Sequence, residues 1–451
     1  MFINMASPER PVSNGKRDME IDKYGFTGGD QYTFPGVPGE LPAETVRKRE
    51  TKWLVMLDNW NIWMAKRFPQ LKKRCRKGIP SSLRGRAWQL LCGSRPLEAQ
   101  SNQSFQDLVS STIPETATED IEKDLHRQFP FHEMFCQRGG AGQQDLRDVL
   151  HAYVAYNPKD GYCQGQAPVA AVLLMHMPAK DAFWCMTAIL TYYISGYYSQ
   201  GLEVIQVDGL IMQSLLRKVC PLAHKHMEKL NISPMLYCTE WFMCIFARTL
   251  PWPSVLRLWD MFFCEGVKVL FRCGLVLLRA SLGNVASLPI IPDTYETMEK
   301  LRKLDKNDMH PEFLMHAIIT LRITENDLEN EHRLQMKITK KKGNSSVKLV
   351  KRVYRYAPTL QHHGIVQKTG ATKHLSSVSV DSSQVAKQTQ ATLPQKDKLH
   401  NDAVTLTVYR PISQSSITTL SSSHTSNQQS EGPNKDFQLK NDVDQAKGTY
   451  L

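Results

Sequence analysis

The sequence has no apolar run long enough to cross a bilayer. Its longest apolar stretch, residues 167–178, contains a histidine and falls short of the roughly 20 residues that a transmembrane helix needs. The first residues also lack the continuous apolar segment of a secretory signal peptide. We therefore expect a soluble, cytoplasmic protein.

No Cys-x-x-Cys pair occurs among the ten cysteines, which are scattered between Cys75 and Cys273. Histidines do not stand beside them at the spacings of a structural zinc site. We expect reduced thiols and no metal of the protein's own. The Gly-x-x-x-x-Gly-Lys-Ser/Thr motif is also missing, which argues against a phosphate-binding loop.

Strand-like alternation is scarce, and no repeat of fixed period is evident. Instead, apolar residues recur at steps of three and four, beginning with Trp53, Met56, Leu57, Trp60 and Met64. The same period predicts further helices over residues 84–91, 119–129, 145–156, 167–177, 181–193, 211–219, 235–249, 254–263, 269–282 and 295–304. We predict an all-α, multi-helix domain of a dozen helices or more.

Apolar residues are unevenly distributed along the 451-residue chain. All eight tryptophans and all ten cysteines precede residue 274, whereas residues 341–451 hold few aromatics and much Ser, Thr, Gln and Lys. Such a segment buries too little surface to offset its own ordering entropy. We predict a flexible leader over residues 1–43, one helical domain over 44–330 and a disordered C-terminal tail over 331–451.

The net charge of +12 is concentrated in the tail, where residues 341–451 carry 15 Lys and Arg against 7 Asp and Glu. The basic cluster at the start of the predicted tail consists of Lys340, Lys341, Lys342, Lys348, Lys351, Arg352 and Arg355. A solvated charge run is the favoured interpretation, and an anionic membrane surface is the weaker alternative. We expect no nucleic-acid partner, because no nucleic-acid-binding motif accompanies the charge. A second basic run, residues 66–77, flanks a predicted helix.

The first distinctive segment begins with Gly-Ile-Pro at residues 78–80. This turn predicts a helix capped by Ser81 or Ser82 and closed by Gly93. Arg84 and Trp88 lie one turn apart on one face of that helix. From these residues alone, we interpret them as a core tryptophan shielded by an arginine stem.

The second segment ends a predicted helix with Asp124-Leu-His-Arg127. Thr116 and Glu119 have the spacing of a capping box at its start, and Pro130 should end the helix near Arg127. Asp124 can pair with Arg127 and so aim the guanidinium. Taken alone, an arginine at a helix end usually only satisfies carbonyls and the helix dipole.

The third segment, Tyr162-Cys163-Gln164-Gly165, opens the apolar helix predicted over residues 167–177. A glutamine beside glycines at a helix start can approach a phosphate, although it more often caps the backbone. Cys163 is interpreted as a small buried hydrophobe, because no basic or histidine neighbour in the sequence would lower its pKa.

These segments, in this order, resemble the three signature motifs of TBC-domain Rab GTPase-activating proteins. The matching residues are Gly-Ile-Pro at 78–80 with Arg84, Trp88 and Gly93, then Ile121, Asp124 and Arg127, then Tyr162, Cys163, Gln164 and Gly165. Thr249-Leu-Pro251 and Arg257-Leu-Trp-Asp260 with Gly266 resemble the family's C-terminal signature, so the resemblance covers residues 78–266. One departure is Gln128, where many members of the family have threonine.

The resemblance implies a TBC-type fold and a dual-finger mechanism in trans. The family's catalytic arginine corresponds to Arg127 and its catalytic glutamine to Gln164. The supporting residues would be Asp124, Tyr162, Cys163, Gly165, Arg84 and Trp88. The implied partner is a GTP-loaded Rab-family GTPase that acts in vesicle trafficking. That GTPase binds GTP and Mg²⁺ itself, so this chain would need no cofactor of its own.

The last three residues, Thr449-Tyr450-Leu451, have the pattern of a class I PDZ ligand, although so short a match also arises by chance. Residues 241–244, 250–252 and 259–268 look closest to the branch of the family that includes carabin and its microvillar paralogue, which binds a PDZ scaffold. The resemblance implies recruitment to the cell cortex or microvilli. The alternative function is a non-catalytic adaptor that acts through this terminus and the basic tail.

Overall fold

The computed structural model describes residues 21–28, 41–284, 291–341 and 354. These residues form eighteen α-helices and, apart from an isolated bridge between Phe26 and His132, no β-structure, so the predicted all-α domain is confirmed. The helices are α1 (Ala43–Asp58), α2 (Trp60–Lys66), α3 (Phe68–Arg76), α4 (Arg84–Cys92), α5 (Ser94–Ala99), α6 (Phe105–Val109), α7 (Glu115–Leu125), α8 (Ala141–Tyr156), α9 (Gln166–Leu174), α10 (Ala179–Ala188), α11 (Glu203–Val219), α12 (Pro221–Lys229), α13 (Met235–Met243), α14 (Trp252–Glu265), α15 (Lys268–Leu282), α16 (Thr294–Arg302), α17 (Pro311–Thr320) and α18 (Glu325–Lys341).

Helices α9, α14 and α15 form the centre of the domain. Every residue of α9 is buried, and so is every residue of α14 except Arg257. In α15, only Arg279 and Ala280 are not buried. A helix that is buried on nearly every side must be surrounded by other elements, so these three helices require the shell that the remaining helices form.

A buried ion pair ties α4 to α14. The Asp260 carboxylate is fully buried and accepts hydrogen bonds from Arg84 Nε at 3.1 Å, Trp88 Nε1 at 2.9 Å and the Ile79 backbone N–H at 2.7 Å. Burial raises the pKa of Asp260, and the Arg84 charge and the N–H donors oppose that rise. Trp88 is thus a core residue, as interpreted from the sequence. Arg84 not only covers Trp88 but also pairs with the buried Asp260.

The predicted serine cap before α4 is wrong. Ser81–Leu83 form a 3₁₀ turn that no side chain caps, and Ser82 instead donates its hydroxyl hydrogen to Glu50 at 2.5 Å. The predicted end of α4 is confirmed, because Gly93 takes the left-handed conformation at φ 72°.

A segment of the predicted leader packs on the helical domain. Phe26 is 1% exposed, and its ring contacts those of Phe129 and Trp252 at centroid distances of 6.4 and 5.2 Å. The prediction of a flexible leader over residues 1–43 is therefore wrong for residues 21–28, which pack on the domain through the buried Phe26.

The predicted tail also contributes to the folded domain. Helix α18 extends to Lys341, beyond the predicted boundary at residue 330. Tyr354 is buried and donates its hydroxyl hydrogen to Asp208 at 2.7 Å. The boundary at 331 is therefore wrong, because Tyr354 packs inside the domain. The basic residues between Lys341 and Tyr354, and residues 355–451, lie outside the described part of the chain.

None of the described helices combines the length and the apolarity that a membrane span requires. Across the described ranges, no group of three or more His, Cys, Asp or Glu side chains is arranged to hold a metal ion. All ten cysteines are free thiols, and eight of them are buried.

Candidate functional site

Helix α7 carries the first predicted finger and starts differently from the prediction. It begins at Glu115, directly after Pro114, and no side chain caps it. The capping box predicted from Thr116 and Glu119 is wrong, because both residues lie inside the helix. Proline fixes φ near the helical value, so the backbone starts this helix without a capping hydroxyl.

The end of α7 agrees with the sequence. The helix ends at Leu125, and Phe129, which precedes Pro130, leaves the helical conformation with φ at 44°. A positive φ is costly for a bulky side chain, and burial of the Phe129 ring in the aromatic core holds it there. Arg127 therefore lies in the turn between a helix end and a fixed aromatic anchor.

Asp124 connects the two predicted finger segments. One of its carboxylate oxygens, Oδ1, accepts a hydrogen bond from Arg127 Nε at 2.7 Å, which confirms the predicted pair. The other oxygen, Oδ2, accepts the hydroxyl hydrogen of Tyr162 at 2.5 Å. Because Asp124 is buried, this single carboxylate joins the last turn of α7 to the loop before α9.

The surroundings of Tyr162 and Cys163 keep these two side chains of the loop neutral. Burial, followed by the Asp124 charge, raises the pKa of Tyr162 well above its ordinary value, so its hydroxyl remains a donor. Burial also raises the pKa of the Cys163 thiol, although the Gly165 backbone N–H opposes this effect. The thiol therefore stays protonated, in agreement with the interpretation that Cys163 is no nucleophile.

Gln166 fixes the shape of the loop, and sequence reasoning missed it. This fully buried side chain donates from Nε2 to the Gly161 carbonyl at 3.1 Å and accepts from the Cys163 N–H at 3.3 Å. Both contacts close the loop that carries Gln164. The clue in the sequence is an amide at the start of an otherwise apolar helix, because a buried amide must find local hydrogen-bond partners.

Gly165 allows the loop to pack closely on α13. A Cβ atom at this position would lie 3.1 Å from Met243 Cβ and 3.3 Å from Tyr198 Cε1. Tyr198 in turn donates its hydroxyl hydrogen to the Met243 carbonyl at 2.6 Å. Gly165 therefore positions the loop by its small size.

The Gln164 side chain is half-buried and forms no hydrogen bond with another described residue. It follows Tyr162 by two residues, so the Asp124 bridge brings its segment next to the end of α7, where Arg127 lies. The structure thus brings Arg127, Asp124, Tyr162 and the Gln164 loop together. Arg84 and Trp88 instead bind Asp260 in the core, and they support the fold rather than this loop.

The predicted PDZ-ligand residues Thr449, Tyr450 and Leu451 lie outside the described residues. The hypothesis that these residues bind a PDZ domain therefore rests on the sequence alone.

Comparison with known proteins identifies the family. The Rab-GTPase-TBC domain model matches residues 81–282. The chain is 56% identical to mouse TBC1 domain family member 10B over 324 residues, which span 72% of this chain and 40% of that protein. It is 54% identical to mouse TBC1 domain family member 10A over 325 residues, which span 72% of this chain and 65% of that protein.

Mouse carabin is 43% identical over 322 residues, which span 70% of this chain and 71% of carabin. The chain therefore matches less than two thirds of the two TBC1 family members and more than two thirds of carabin. From these matches, the chain belongs to the Rab-GTPase-TBC domain family, in the branch that contains carabin.

Proposed function

We propose that this chain is a GTPase-activating protein for a Rab-family small GTPase. In this proposal, Arg127 and Gln164 complete the active site of the GTPase in trans, and the reaction regulates vesicle trafficking. Family membership supports the class of activity. The choice of Arg127 and Gln164 rests on one observation. The Asp124 carboxylate binds Arg127 directly and holds the Gln164 loop through Tyr162.

The chemistry of GTP hydrolysis matches the two side chains. Negative charge is spread over the oxygens of the transferred phosphoryl group, while the attacking water must be held in line. A guanidinium offers a permanent charge and a planar set of donors for those oxygens. A carboxamide can accept a hydrogen bond from the water and donate one to a neighbouring oxygen. GTP and Mg²⁺ would be bound by the GTPase, so this chain would need no cofactor.

Asp124 gives Arg127 a defined starting position before the GTPase arrives. A long side chain that is already ordered loses less conformational entropy when it reaches its target. The GTPase must then draw the guanidinium toward its phosphates in competition with a buried carboxylate. Asp124 and Tyr162 are therefore positioning residues in this proposal, whereas Arg127 and Gln164 touch the reacting groups.

Single-turnover GTP hydrolysis on a panel of Rab GTPases tests the proposal with the full chain. Removing an arginine finger typically costs about 10³–10⁵ in rate, so Arg127→Ala should abolish most of the stimulation. Gln164→Ala should lower it about 10²-fold or more. Matched controls are Arg147→Ala, which removes another carboxylate-paired arginine, and Gln106→Ala at an exposed position on α6. Equal stimulation by wild type and Arg127→Ala on every Rab would overturn the catalytic assignment.

From the sequence of the terminus, we also propose that Thr449-Tyr450-Leu451 binds a PDZ scaffold and recruits the chain to the cell cortex or microvilli. A carboxylate-binding nest and a pocket for the terminal apolar side chain are the features that such domains offer. Leu451→Ala should weaken binding to a PDZ-domain panel and leave GTP hydrolysis unchanged. If this contact is present while Arg127→Ala has no effect on any Rab, the chain is the non-catalytic adaptor.

A further inference from the structure

Helices α1 and α2 have one buried face and one solvent-exposed face. The buried face contains Trp53, Met56, Leu57, Trp60, Trp63 and Met64. The backbone of Asn59 between the two helices is not helical (φ −114°, ψ 34°), yet the buried residues keep steps of three and four across it, from Leu57 to Trp60 and on to Trp63 and Met64. Residues on the two helices therefore keep helical spacing on the exposed face.

The exposed face carries three large aliphatic side chains. Leu54, Val55 and Ile62 are 40%, 56% and 52% exposed. Val55 lies on α1 and Ile62 on α2, and both fall between the buried steps, so they lie on the same solvent-facing side of the two helices. Asn59 lies between them and donates from Nδ2 to the Val55 carbonyl at 2.9 Å. Single exposed aliphatic residues are ordinary, but a group of three on one short face is not explained by the core.

Lysines flank this aliphatic group at the same spacing. Lys52 precedes Val55 by three residues and Lys66 follows Ile62 by four, so both lie on the same side as the aliphatic residues. Neither lysine forms an ion pair with another described residue. Arg74 of α3 donates to the Lys52 carbonyl at 2.6 Å and lies over the Trp63 ring at 4.3 Å, which fastens α3 beside the other two helices.

The exposed charge of residues 43–77 is strongly positive. Its exposed cations are Arg47, Lys48, Lys52, Lys66, Arg67, Lys73 and Lys77. Only two anions are exposed, Glu44 and Asp58, so the exposed side chains of residues 43–77 have a net charge of +5. Glu44 already pairs with Lys48, and Asp58 pairs with Arg86 of α4.

Charge complementarity identifies the kind of partner. The chain's own C-terminal segment is a poor match, because residues 341–451 carry 15 cations against 7 anions and would be repelled. Aliphatic side chains flanked by lysines match an anionic membrane surface, where the aliphatic groups enter the boundary between headgroups and acyl chains. The lysines then meet the anionic headgroups.

We propose that the exposed face of α1 and α2, centred on Leu54, Val55 and Ile62, docks on an anionic membrane surface. Lys52 and Lys66 supply the attraction, and the aliphatic side chains supply the insertion. The docking face belongs to the helical domain and is separate from the basic tail. It does not depend on the proposed activation of a Rab.

Co-sedimentation of the full chain with vesicles tests this assignment. The vesicles contain either phosphatidylcholine alone or phosphatidylcholine with phosphatidylserine. The aliphatic variant is Leu54→Ser/Val55→Ser/Ile62→Ser, and the charge variant is Lys52→Glu/Lys66→Glu. Matched controls are Leu210→Ser/Leu236→Ser/Phe313→Ser, at other exposed apolar positions, and Lys225→Glu/Lys229→Glu on α12. Ile62→Ser alone keeps the test valid if the triple variant does not fold.

Wild type should partition onto the anionic vesicles and much less onto phosphatidylcholine alone. Each variant of the docking face should lower partitioning by about tenfold or more, while the controls stay within about twofold of wild type. If both variants of the docking face bind the anionic vesicles as strongly as wild type, the proposal is overturned and the basic tail becomes the candidate for membrane binding. Loss in the charge variant alone would also overturn it, because binding by charge attraction alone needs no aliphatic insertion. GTP hydrolysis is not read out here, so this result is independent of the proposed activity.

Discussion

Tyr162 donates its hydroxyl hydrogen to Asp124 across 2.5 Å and thereby ties the loop before α9 to the last turn of α7. The opposite oxygen of the same carboxylate accepts from Arg127 Nε. Asp124 is buried, so its two oxygens are held in fixed directions by two different segments of the chain. One side chain therefore links the Arg127 turn to the Gln164 loop, and under the proposed function it does so without contacting the GTPase.

Tyr162→Phe should loosen this link without removing either finger. Asp124 Oδ2 loses a buried donor, so the free energy of unfolding should fall by about 1 kcal/mol. If the chain activates a Rab as proposed, the maximal rate of stimulated GTP hydrolysis should fall by about tenfold, because the Gln164 loop loses its link to the Arg127 turn. Stopped-flow hydrolysis assays and urea unfolding measure the two effects. Tyr192→Phe is the control, because the half-buried Tyr192 hydroxyl bonds to no described residue. Unchanged hydrolysis by Tyr162→Phe would contradict the positioning role.

Asp260→Ala should destabilise the domain strongly. The substitution leaves the buried Arg84 charge and the Trp88 N–H without their shared acceptor, and breaking a buried ion pair costs about 3–5 kcal/mol. Urea unfolding provides the measurement. Asp58→Ala removes a solvent-exposed pair with Arg86 and should cost less than about 1 kcal/mol. Similar losses in the two variants would show that the buried pair is no stronger than the surface pair.

The stability of the domain should depend on pH through His132. Its Nδ1 accepts from the Met134 N–H at 3.1 Å, and its Nε2 lies 2.9 Å from the Tyr24 carbonyl, an arrangement that fits the neutral ring. Burial lowers the pKa of His132 to about 4, with the Tyr24 carbonyl partly opposing the effect. In the unfolded chain the imidazole takes up a proton near its ordinary pKa of about 6.5. The unfolded state therefore binds more protons between these values, and the free energy of unfolding falls as the pH drops through that window.

Comparison of wild type with His132→Gln isolates this contribution. The difference between their free energies of unfolding should shrink by roughly 2 kcal/mol between pH 7 and pH 5, because only wild type loses stability through this ring. His316→Gln at an exposed position should show no such change relative to wild type. A difference between wild type and His132→Gln that stays constant over this range would show that His132 titrates normally in the folded protein.

Tyr354 should contribute to stability although it lies beyond α18. Its hydroxyl and that of Tyr197 donate to the two oxygens of the fully buried Asp208. Tyr354→Phe should lower the free energy of unfolding by about 1–2 kcal/mol, and Tyr354→Ala by about 3–5 kcal/mol, because the ring is lost as well. Chemical denaturation of the full chain measures both, with the exposed Tyr295→Phe as the control. Wild-type stability of Tyr354→Ala would contradict the observed contact.

Features that depend on short sequence separation were predictable. Asp124 and Arg127 are three residues apart on one helix, so their pairing follows from helical geometry. Gly93 follows an apolar helical pattern, and its left-handed conformation follows from its lack of a side chain. Pro130 restricts the residue before it, which predicted the break at Phe129.

Features that depend on distant contacts were not predictable from the residues. Arg84 and Asp260 are 176 positions apart, and nothing local shows that both are buried against each other. Phe26 lies among glycines in a segment whose composition is typical of a loop, yet it fills an aromatic site in the core. The predicted caps failed for a local reason, because Pro80 and Pro114 start the helical turns through their fixed φ.

The packing of residues 21–28 on the helical domain determines where a fragment of this domain must start. The Thr27 N–H donates to the Phe131 carbonyl, and the Glu133 N–H donates to the Gly25 carbonyl, each at 2.8 Å. A fragment that starts at α1 would lack Phe26, so the site between Phe129 and Trp252, beside the turn that follows Arg127, would be empty. Such a fragment would contain every motif residue, but the turn after Arg127 would lose the packing of Phe26 against Phe129. Under the proposed function, weak activation of a GTPase by the fragment would therefore reflect the missing segment and not a missing catalytic side chain.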